Sequence, residues 1–218
     1  FGCISQQGRT RPPSPQNRIE FVPSPEEIAE VALRHINQAE RPVVSFGQGC
    51  EGEPLMAGTV IEKAIRIIRA STSCGTINLN TNASLPEVVA RLADAGLDSM
   101  RISMNSTRPA TYRAYFKPAY PFDAVVQSAR EMKRRALFVS LNLFVFPGLT
   151  DAPREAEELR RFVGENAIDM IQWRNLNIDP DAYLTCIGQD LPAGIGIRSL
   201  IESIPVRRGY FNPYLGKS

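Results

Sequence analysis

A glycine-rich loop that carries two carboxylates is the clearest candidate for chemistry in this sequence. Residues 47–54 read Gly-Gln-Gly-Cys-Glu-Gly-Glu-Pro. Glycine lets a backbone adopt positive φ and approach a ligand closely, and the carboxylates of Glu51 and Glu53 can hold a cationic group. Pro54 fixes φ where the next helix begins. The same pattern also suits an ordinary strand-to-helix loop with a helix cap, so these residues need support from the rest of the chain.

The chain around this loop alternates strand patterns with helical patterns. Short apolar or alternating runs predict strands at 42–46, 76–82, 99–105, 137–146 and 169–177. Apolar residues at helical spacing predict helices at 25–38, 56–69, 85–95, 109–116, 121–135, 151–165 and 196–204. This alternation predicts an α/β fold with a parallel sheet or barrel. We expect one domain over 1–218, made of an irregular segment 1–23, βα repeats 24–180 and a C-terminal extension 181–218.

Most predicted strands carry one apolar and one polar face. Ile77 and Leu79 alternate with Asn78 and Asn80, and the alternation recurs in the later predicted strands. Strands buried on both faces would instead be nearly continuous apolar runs. Because polar groups are costly to bury without partners, this pattern predicts a curved sheet around a polar cavity rather than a closed barrel with an apolar interior. Asparagines that simply face solvent at strand ends remain the alternative.

Composition excludes several classes of protein. The 218 residues carry a formal net charge of +2 without a basic block, so no nucleic-acid or membrane partner is expected. No run approaches about 18 apolar residues, so no transmembrane helix is predicted. None of the four cysteines lies in a CxxC pair, and we expect reduced thiols in a cytoplasmic protein. The single histidine, His35, excludes a histidine-rich metal site and disfavours Ser-His-Asp catalysis.

The order Gly52-Glu53-Pro54 after a strand resembles the Gly-Glu-Pro loop of radical S-adenosylmethionine enzymes, which holds the amino group of the bound methionine moiety. The resemblance implies a partial (β/α)6 barrel of the TIM type. It also implies a [4Fe-4S] cluster on the loop after the first strand, bound by three cysteines spaced CxxxCxxC. Cys3 would be the third of these. The second would lie directly before Phe1 and the first four residues earlier, so we expect the chain to begin inside the cluster motif with the first strand missing.

The resemblance extends along most of the chain. The order Thr-Asn-Ala at 81–83 is similar to the Thr-Asn-Gly element that ends the family's third strand, with alanine in place of glycine. Ser103 and Asn105 resemble the polar pair that contacts the ribose and carboxylate, and Val145 falls where the fifth strand packs against adenine. The residues that the resemblance assigns to the cofactor are Gly49, Glu51, Gly52, Glu53, Pro54, Asn80, Asn82, Arg101, Ser103, Asn105, Val145 and Arg174.

The family's chemistry sets the function that the resemblance implies. Three thiolates leave one iron with an open position, which the methionine amine and carboxylate chelate. One electron from the cluster then breaks the sulfonium C–S bond and gives a 5′-deoxyadenosyl radical, which abstracts hydrogen from a substrate. We expect an oxygen-sensitive enzyme with S-adenosylmethionine and the cluster as cofactors. Its substrate would be a small molecule or a peptide, and its electron donor a protein such as flavodoxin or ferredoxin.

The sequence allows both a functional and a structural role for several side chains. Cys186 could donate a hydrogen atom to a substrate radical, or be a buried structural cysteine. Cys50 is expected to be structural and Trp173 to lie in the core. Arg101 or Arg174 pairs either with a carboxylate of the cofactor or substrate, or with an internal acidic residue.

Two other functions fit the sequence less well. One is a lyase or aldolase that uses Glu51 or Glu53 as base and a lysine as nucleophile, although lysines are scarce at the predicted strand ends. The other is a cluster-free barrel that serves as a binding or scaffold module.

Overall fold

The computed structural model describes residues 19–48, 52–175, 179–188, 191 and 193–216. Within these residues the sheet has six parallel strands, whose order across the sheet follows their order along the chain. They are β1 (Val43–Phe46), β2 (Thr76–Thr81), β3 (Ser99–Met104), β4 (Phe138–Val145), β5 (Met170–Asn175) and β6 (Arg207–Arg208). An open doubly wound sheet would reverse its strand order at a switch point. The continuous order is that of a barrel wall, so the predicted partial barrel is confirmed.

Eight α-helices lie in the described part of the chain. They are α1 (Pro25–Gln38), α2 (Gly58–Ser71), α3 (Pro86–Ala95), α4 (Pro109–Phe116), α5 (Phe122–Arg134), α6 (Pro153–Glu165), α7 (Pro180–Ile187) and α8 (Ile197–Ser203). A short 3₁₀ helix, Pro54–Ala57, precedes α2. The helices and strands predicted from the sequence are present to within two residues at each end, and only α7 and β6 lack a sequence prediction. No helix in the described ranges is long and apolar enough to span a bilayer.

Local sequence signals determine where the helices begin and end. At the start of α1, Ser24 Oγ accepts a hydrogen bond from Glu27 N at 3.2 Å, and Glu27 Oε2 accepts one from Ser24 N at 2.8 Å. This capping box satisfies backbone donors that have no partner inside the helix. At the end of α3, Gly96 has φ of +117°, the left-handed conformation that closes many helices. Such signals make these boundaries predictable from the sequence.

The apolar strand face and the helices form the main core. Ile77, Leu79 and Ile102 are fully buried and pack in one cluster with Ile65 and Ile68 of α2. Burial of one such side chain stabilises the fold by about 1.5–3 kcal/mol. Because side chains alternate along a strand, the register that buries this face turns the polar residues of the same strands to the opposite face.

The C-terminal segment, residues 209–215, links the two sides of the sheet. Beside β5, the carbonyl oxygen of Tyr210 accepts a hydrogen bond from Arg174 Nη2 at 2.8 Å. Beside β1, Asn212 Nδ2 donates to Ser45 Oγ at 2.9 Å. The C-terminal segment therefore crosses the polar face, which is the inner, concave face of the partial barrel because the helices cover the apolar one.

Candidate functional site

Gly47 brings the glycine-rich loop against β2. Its φ is +70°, and a Cβ built there would overlap the backbone carbonyl oxygen of Asn80. Only glycine meets both demands. The close backbone approach that glycine permits is thus present here, with the protein's own strand as the neighbour. Gly49, Cys50 and Glu51 lie outside the described residues.

The carboxylate of Glu53 ties this loop to the end of β2. It accepts hydrogen bonds from Leu55 N at 3.1 Å, from Thr81 Oγ1 at 2.5 Å and from Asn82 N at 2.8 Å. Burial raises the pKa of Glu53, and the bonds from Thr81, Asn82 and Leu55 offset part of that rise. Gly52, with φ of +98°, precedes it. Because three of its acceptor positions are used within the protein, Glu53 positions the loop.

The turn after β2 takes a conformation that glycine normally adopts. Ala83 has φ of +57° and is fully buried, and its N–H donates to Thr81 Oγ1 at 3.0 Å. The turn is closed by Asn82 Oδ1, which accepts from Ser84 N at 3.0 Å. Left-handed backbone costs a residue with a Cβ about 1–2 kcal/mol. This conformation accounts for the glycine in the Thr-Asn-Gly element that 81–83 resembles.

Buried amides connect the loop to the polar face of β2. Asn78 and Asn80 are 1% and 5% exposed, so the alternative in which they face solvent is wrong. Asn80 Nδ2 donates to Gln48 Oε1 at 2.7 Å, and Asn78 Nδ2 donates to Asn80 Oδ1 at 2.9 Å. On β3, Ser99 Oγ donates to Asn78 Oδ1 at 2.8 Å. These bonds join the loop, β2 and β3 in one hydrogen-bond network, and Arg101 Nη2 extends it by donating to Gln48 Oε1 at 3.5 Å.

Arg101 and Arg174 dominate the other side of the polar face, between β3 and β5. Gln172 Oε1 accepts from Arg101 Nη1 at 3.0 Å and from Arg174 Nη2 at 3.3 Å, and Asn142 Oδ1 accepts from Arg174 Nε at 3.3 Å. Burial, and then the charge of Arg174, lower the pKa of Arg101 to about 10. Within the described ranges neither arginine forms an ion pair with a carboxylate. The internal salt bridge that the sequence left open is thus not found among these residues.

A cavity of about 480 Å³ opens beside the two arginines. Aromatic rings and amides form the rest of its wall. Its lining residues are Arg101, Asn142, Phe144, Trp173, Arg174, Asn175 and Tyr210.

The residues predicted to contact ribose and adenine lie at the carboxyl-terminal ends of β3 and β4. Ser103 Oγ accepts from Asn142 Nδ2 at 3.4 Å. Asn105 is buried and donates to the hydroxyl of Tyr183 at 3.1 Å, while its Oδ1 has no hydrogen-bond partner among the described residues. Val145 is half-buried at the last position of β4. The structure brings these side chains to one end of the sheet.

The cysteines lie apart from this cluster or outside the described residues. Cys186 is a half-buried free thiol on α7, and it does not line the cavity beside the arginines. Cys3 lies outside the described residues, so its predicted role as a cluster ligand stays a prediction. Trp173 packs against the main core, as predicted, and His35 is exposed on α1.

Several polar-face residues were not among the site residues predicted from the sequence. Two of them, Asn142 and Gln172, carry a signal, because they are polar positions in strands with period-two alternation. Gln48 lies in the glycine-rich loop. Tyr210 and Asn212 have no local sequence signal, since their partners are Arg174 and Ser45, far away in the chain.

Comparisons with known proteins place this geometry in context. A model described as the radical SAM superfamily matches residues 3–163. The GTP 3′,8-cyclase of Acidothermus cellulolyticus is 28% identical over 143 residues, which are 65% of this chain and 38% of the cyclase. SuiB of Streptococcus suis, solved with S-adenosylmethionine bound, aligns with a TM-score of 0.60 and 16% identity over 90% of this chain and 45% of SuiB. A radical SAM methyltransferase from Sphaerobacter thermophilus aligns with a TM-score of 0.59 and 15% identity over 87% of this chain and 57% of that protein.

These similarities differ in what they establish. At 16% and 15% identity, the two structures share the fold with this chain. SuiB has also been solved bound to its precursor peptide SuiA. The chain spans 38% of the cyclase's length and about half of each of the two solved proteins.

Proposed function

This chain belongs to the radical SAM superfamily, and on that premise we propose that it is a radical enzyme that binds S-adenosylmethionine and a [4Fe-4S] cluster at the polar face of its sheet. When bound, these groups supply reductive cleavage of the sulfonium and, through it, abstraction of hydrogen from a substrate. The chain's own residues bind and orient the cofactor and keep water away.

The loop bonded to β2 through Glu53 is the observation that carries this proposal. Ligands of parallel α/β folds bind at the carboxyl ends of the strands. There, Gly47 and Glu53 hold the Gly-Glu-Pro backbone against the end of β2, so its peptide groups have fixed directions before any ligand arrives. Prepositioned backbone groups bind a ligand at a lower entropic cost than mobile ones.

The residues present fit S-adenosylmethionine by their chemistry. The molecule carries a cationic amine, a carboxylate, ribose hydroxyls and an adenine ring. The Gly-Glu-Pro loop supplies acceptors for the amine. Asn105 Oδ1 is a buried polar atom without a partner among the described residues, and as an acceptor it suits a ribose hydroxyl. Val145 offers an apolar surface for adenine.

The remaining predicted roles belong to the same proposal. Gly49, Glu51, Gly52, Pro54, Asn80, Asn82 and Ser103 would complete the cofactor site, and Cys3 would bind the cluster. We propose a small-molecule or peptide substrate, which is supported by the names of the cyclase and of the SuiB–SuiA complex. The electron would come from a protein such as flavodoxin or ferredoxin.

The contacts of Glu53 argue against the lyase alternative. A general base needs a free acceptor that faces its substrate, whereas the Glu53 carboxylate already accepts three hydrogen bonds. No lysine of the described ranges lines the cavity beside Arg101 and Arg174, so none of these residues offers an amine nucleophile there.

The test uses the full-length protein, purified and reconstituted with iron and sulfide without oxygen. We expect an iron–sulfur absorbance band, binding of S-adenosylmethionine in equilibrium dialysis, and formation of 5′-deoxyadenosine after addition of dithionite. Glu53→Ala should weaken the binding by at least about tenfold. Glu62→Ala, which removes an α2 carboxylate bonded to Arg66 and Arg91, should leave it unchanged. A protein that forms no cluster and binds no S-adenosylmethionine would favour the scaffold alternative.

A further inference from the structure

We propose that Arg101 and Arg174 together bind an anionic group of the substrate, either a carboxylate or a phosphate. The inference rests on the proposed function, because it takes the polar face to be the active site. It adds a substrate class, an organic anion small enough for the cavity beside the arginines.

The burial of Arg101 without a counter-charge is the first argument. Its side chain lies in the sheet interior and the residue is 8% exposed, yet no described carboxylate pairs with it. A buried charge is strongly unfavourable unless it is paired. The partly buried Arg69, by contrast, does have such a partner, because it pairs with Asp98. An anion that enters from outside would supply the charge that Arg101 lacks.

The Arg101 guanidinium keeps its charge at neutral pH in spite of its burial. Burial and the charge of Arg174 lower the pKa of Arg101 to about 10, which still leaves the guanidinium protonated at neutral pH. Two adjacent positive charges repel each other, and a bound anion would remove that repulsion. Among the described residues, no negative charge therefore balances the two guanidinium groups.

Neutral oxygens orient the pair without neutralising it. Gln172 Oε1 accepts from both guanidinium groups, at 3.0 Å and 3.3 Å, and this shared acceptor fixes their relative positions. Tyr210 and Asn142 each accept one more bond from Arg174. Arg101 Nη2 also donates to Gln48 Oε1 at 3.5 Å, and Arg101 Nε has no partner in the described ranges. Planar guanidinium groups with unused N–H donors match the geometry of carboxylate and phosphate oxygens.

The position of the cavity favours a substrate group over the amino-acid part of the cofactor. Its lining comes from β3, β4, β5 and Tyr210, and includes the aromatic rings of Phe144 and Trp173. The Gly-Glu-Pro loop lies instead at the ends of β1 and β2. A volume of about 480 Å³ suits a small organic molecule, with the rings beside its carbon skeleton.

Calorimetric titration of the full-length protein tests the site. The probes are inorganic phosphate and succinate, with chloride at equal ionic strength as the reference. We expect one of the two probes to bind, and the tighter one to identify the anion class. Arg101→Met should weaken that binding by at least about tenfold. Arg174→Gln should weaken the binding too. Because Arg174 is only half-buried, this variant tests the inference even if Arg101→Met does not fold.

The matched control is Arg160→Met. Arg160 also bonds only a neutral oxygen, Ser203 Oγ, but lies exposed on α6, so its loss should leave the titration unchanged. Failure of both probes to bind, or equal weakening by Arg160→Met, overturns the inference.

Binding of S-adenosylmethionine, measured on the same variants, separates this inference from the proposed function. Loss of anion binding with retained S-adenosylmethionine binding supports a substrate site. Parallel loss of both assigns the arginines to the cofactor and overturns the inference, while the proposed function stands. If the unaltered protein binds an anion but no S-adenosylmethionine, the proposed function fails and the substrate assignment fails with it.

Discussion

The two sides of the concave polar face differ in how their charged side chains are paired. On the β1–β2 side, the Glu53 carboxylate meets three donors of the chain, and the amides of Asn78 and Asn80 bond to each other. On the β3–β5 side, Arg101 and Arg174 donate to neutral oxygens of the described residues, and Arg101 Nε has no partner among them. The charge of Glu53 is thus held by the chain's own donors, whereas no described carboxylate balances the two arginines. Positioning of the loop and the proposed recognition of an anion thus involve different strands of one sheet.

The largest effect should follow from a change that forces the loop away from β2. Gly47→Ala adds a Cβ at positive φ that overlaps the Asn80 carbonyl oxygen, so we expect the free energy of unfolding to fall by about 3 kcal/mol. Urea denaturation measures it. Gly164→Ala is the control, since Gly164 lies in α6 with nothing within 4 Å of an added Cβ. A Gly47→Ala protein as stable as the Gly164→Ala protein would refute the close packing.

Removal of the carboxylate should be the next most damaging change. Glu53→Ala leaves Leu55 N, Thr81 Oγ1 and Asn82 N without their acceptor, and we expect a loss of about 2 kcal/mol in the free energy of unfolding. An unchanged free energy of unfolding would contradict this comparison of the two sides, because Glu53 would then not hold the loop against β2. Glu62→Ala, at a more exposed carboxylate on α2, should cost less.

Substitution of the buried Arg101 and of the partly buried Arg69 should change stability in opposite directions. Arg101→Met removes a buried charge without a described partner, so we expect the ligand-free protein to gain about 1 kcal/mol in the free energy of unfolding. Arg69→Met leaves Asp98 buried without its ion-pair partner and should cost about 3 kcal/mol. Denaturation of both variants in chloride buffer measures the contrast. A clear loss of stability in Arg101→Met would mean that its neutral partners suffice.

Titration of Glu53 should give a pH dependence of defined sign. Burial raises its pKa above the ordinary value of 4.5, so the folded state holds this proton more tightly than the unfolded chain. Its contribution to stability is therefore full below about pH 4.5 and is lost as the pH rises through the folded-state pKa. Denaturation of the unaltered and Glu53→Gln proteins between about pH 4 and pH 8 measures the difference.

Glu62 provides the opposite sign in the same measurement. The hydrogen bond from Arg66 lowers its pKa, so its contribution should be lost as the pH falls. The same slope for both residues would contradict the assignment of Glu53 as a buried carboxyl.

The smallest effect is expected at the turn after β2. Ala83→Gly relieves the left-handed backbone but removes a buried methyl group, and the two terms nearly cancel, to within about 0.5 kcal/mol. Ala64→Gly, at a fully buried position inside α2, should lower stability by more than about 1 kcal/mol. Equal losses in both variants would show that Ala83 is not strained.

Local patterns were enough to predict most of the fold and the polar face of its sheet. Periodicity and caps placed every helix and strand except α7 and β6, and the polar strand positions indicated a polar concave face. α7 could have been found, because Asp179 before Pro180 is a helix-start signal and its side chain caps Ala182 N. β6 has only two residues, Arg207–Arg208, and carries no pattern.

The remaining features of the site are contacts between residues far apart in the sequence, and they have no local sequence signal. Nothing in the sequence indicates that Arg101 and Arg174 share Gln172, because that contact depends on the curvature that brings β3 and β5 together. Asn212 and Ser45 are 167 positions apart, so no local rule connects them. The roles of Gly49, Glu51 and Cys3 remain predictions.

The C-terminal segment also sets an order of events during synthesis. Its contact between Asn212 and Ser45 spans 167 positions, so the ribosome makes β1 long before the residues that cross the concave face. Domains begin to fold as they emerge, from the N-terminal side, and β1 to β5 are complete by Asn175. The residues of the concave face on β1 to β5 are therefore all synthesised before residues 209–215, which cross that face.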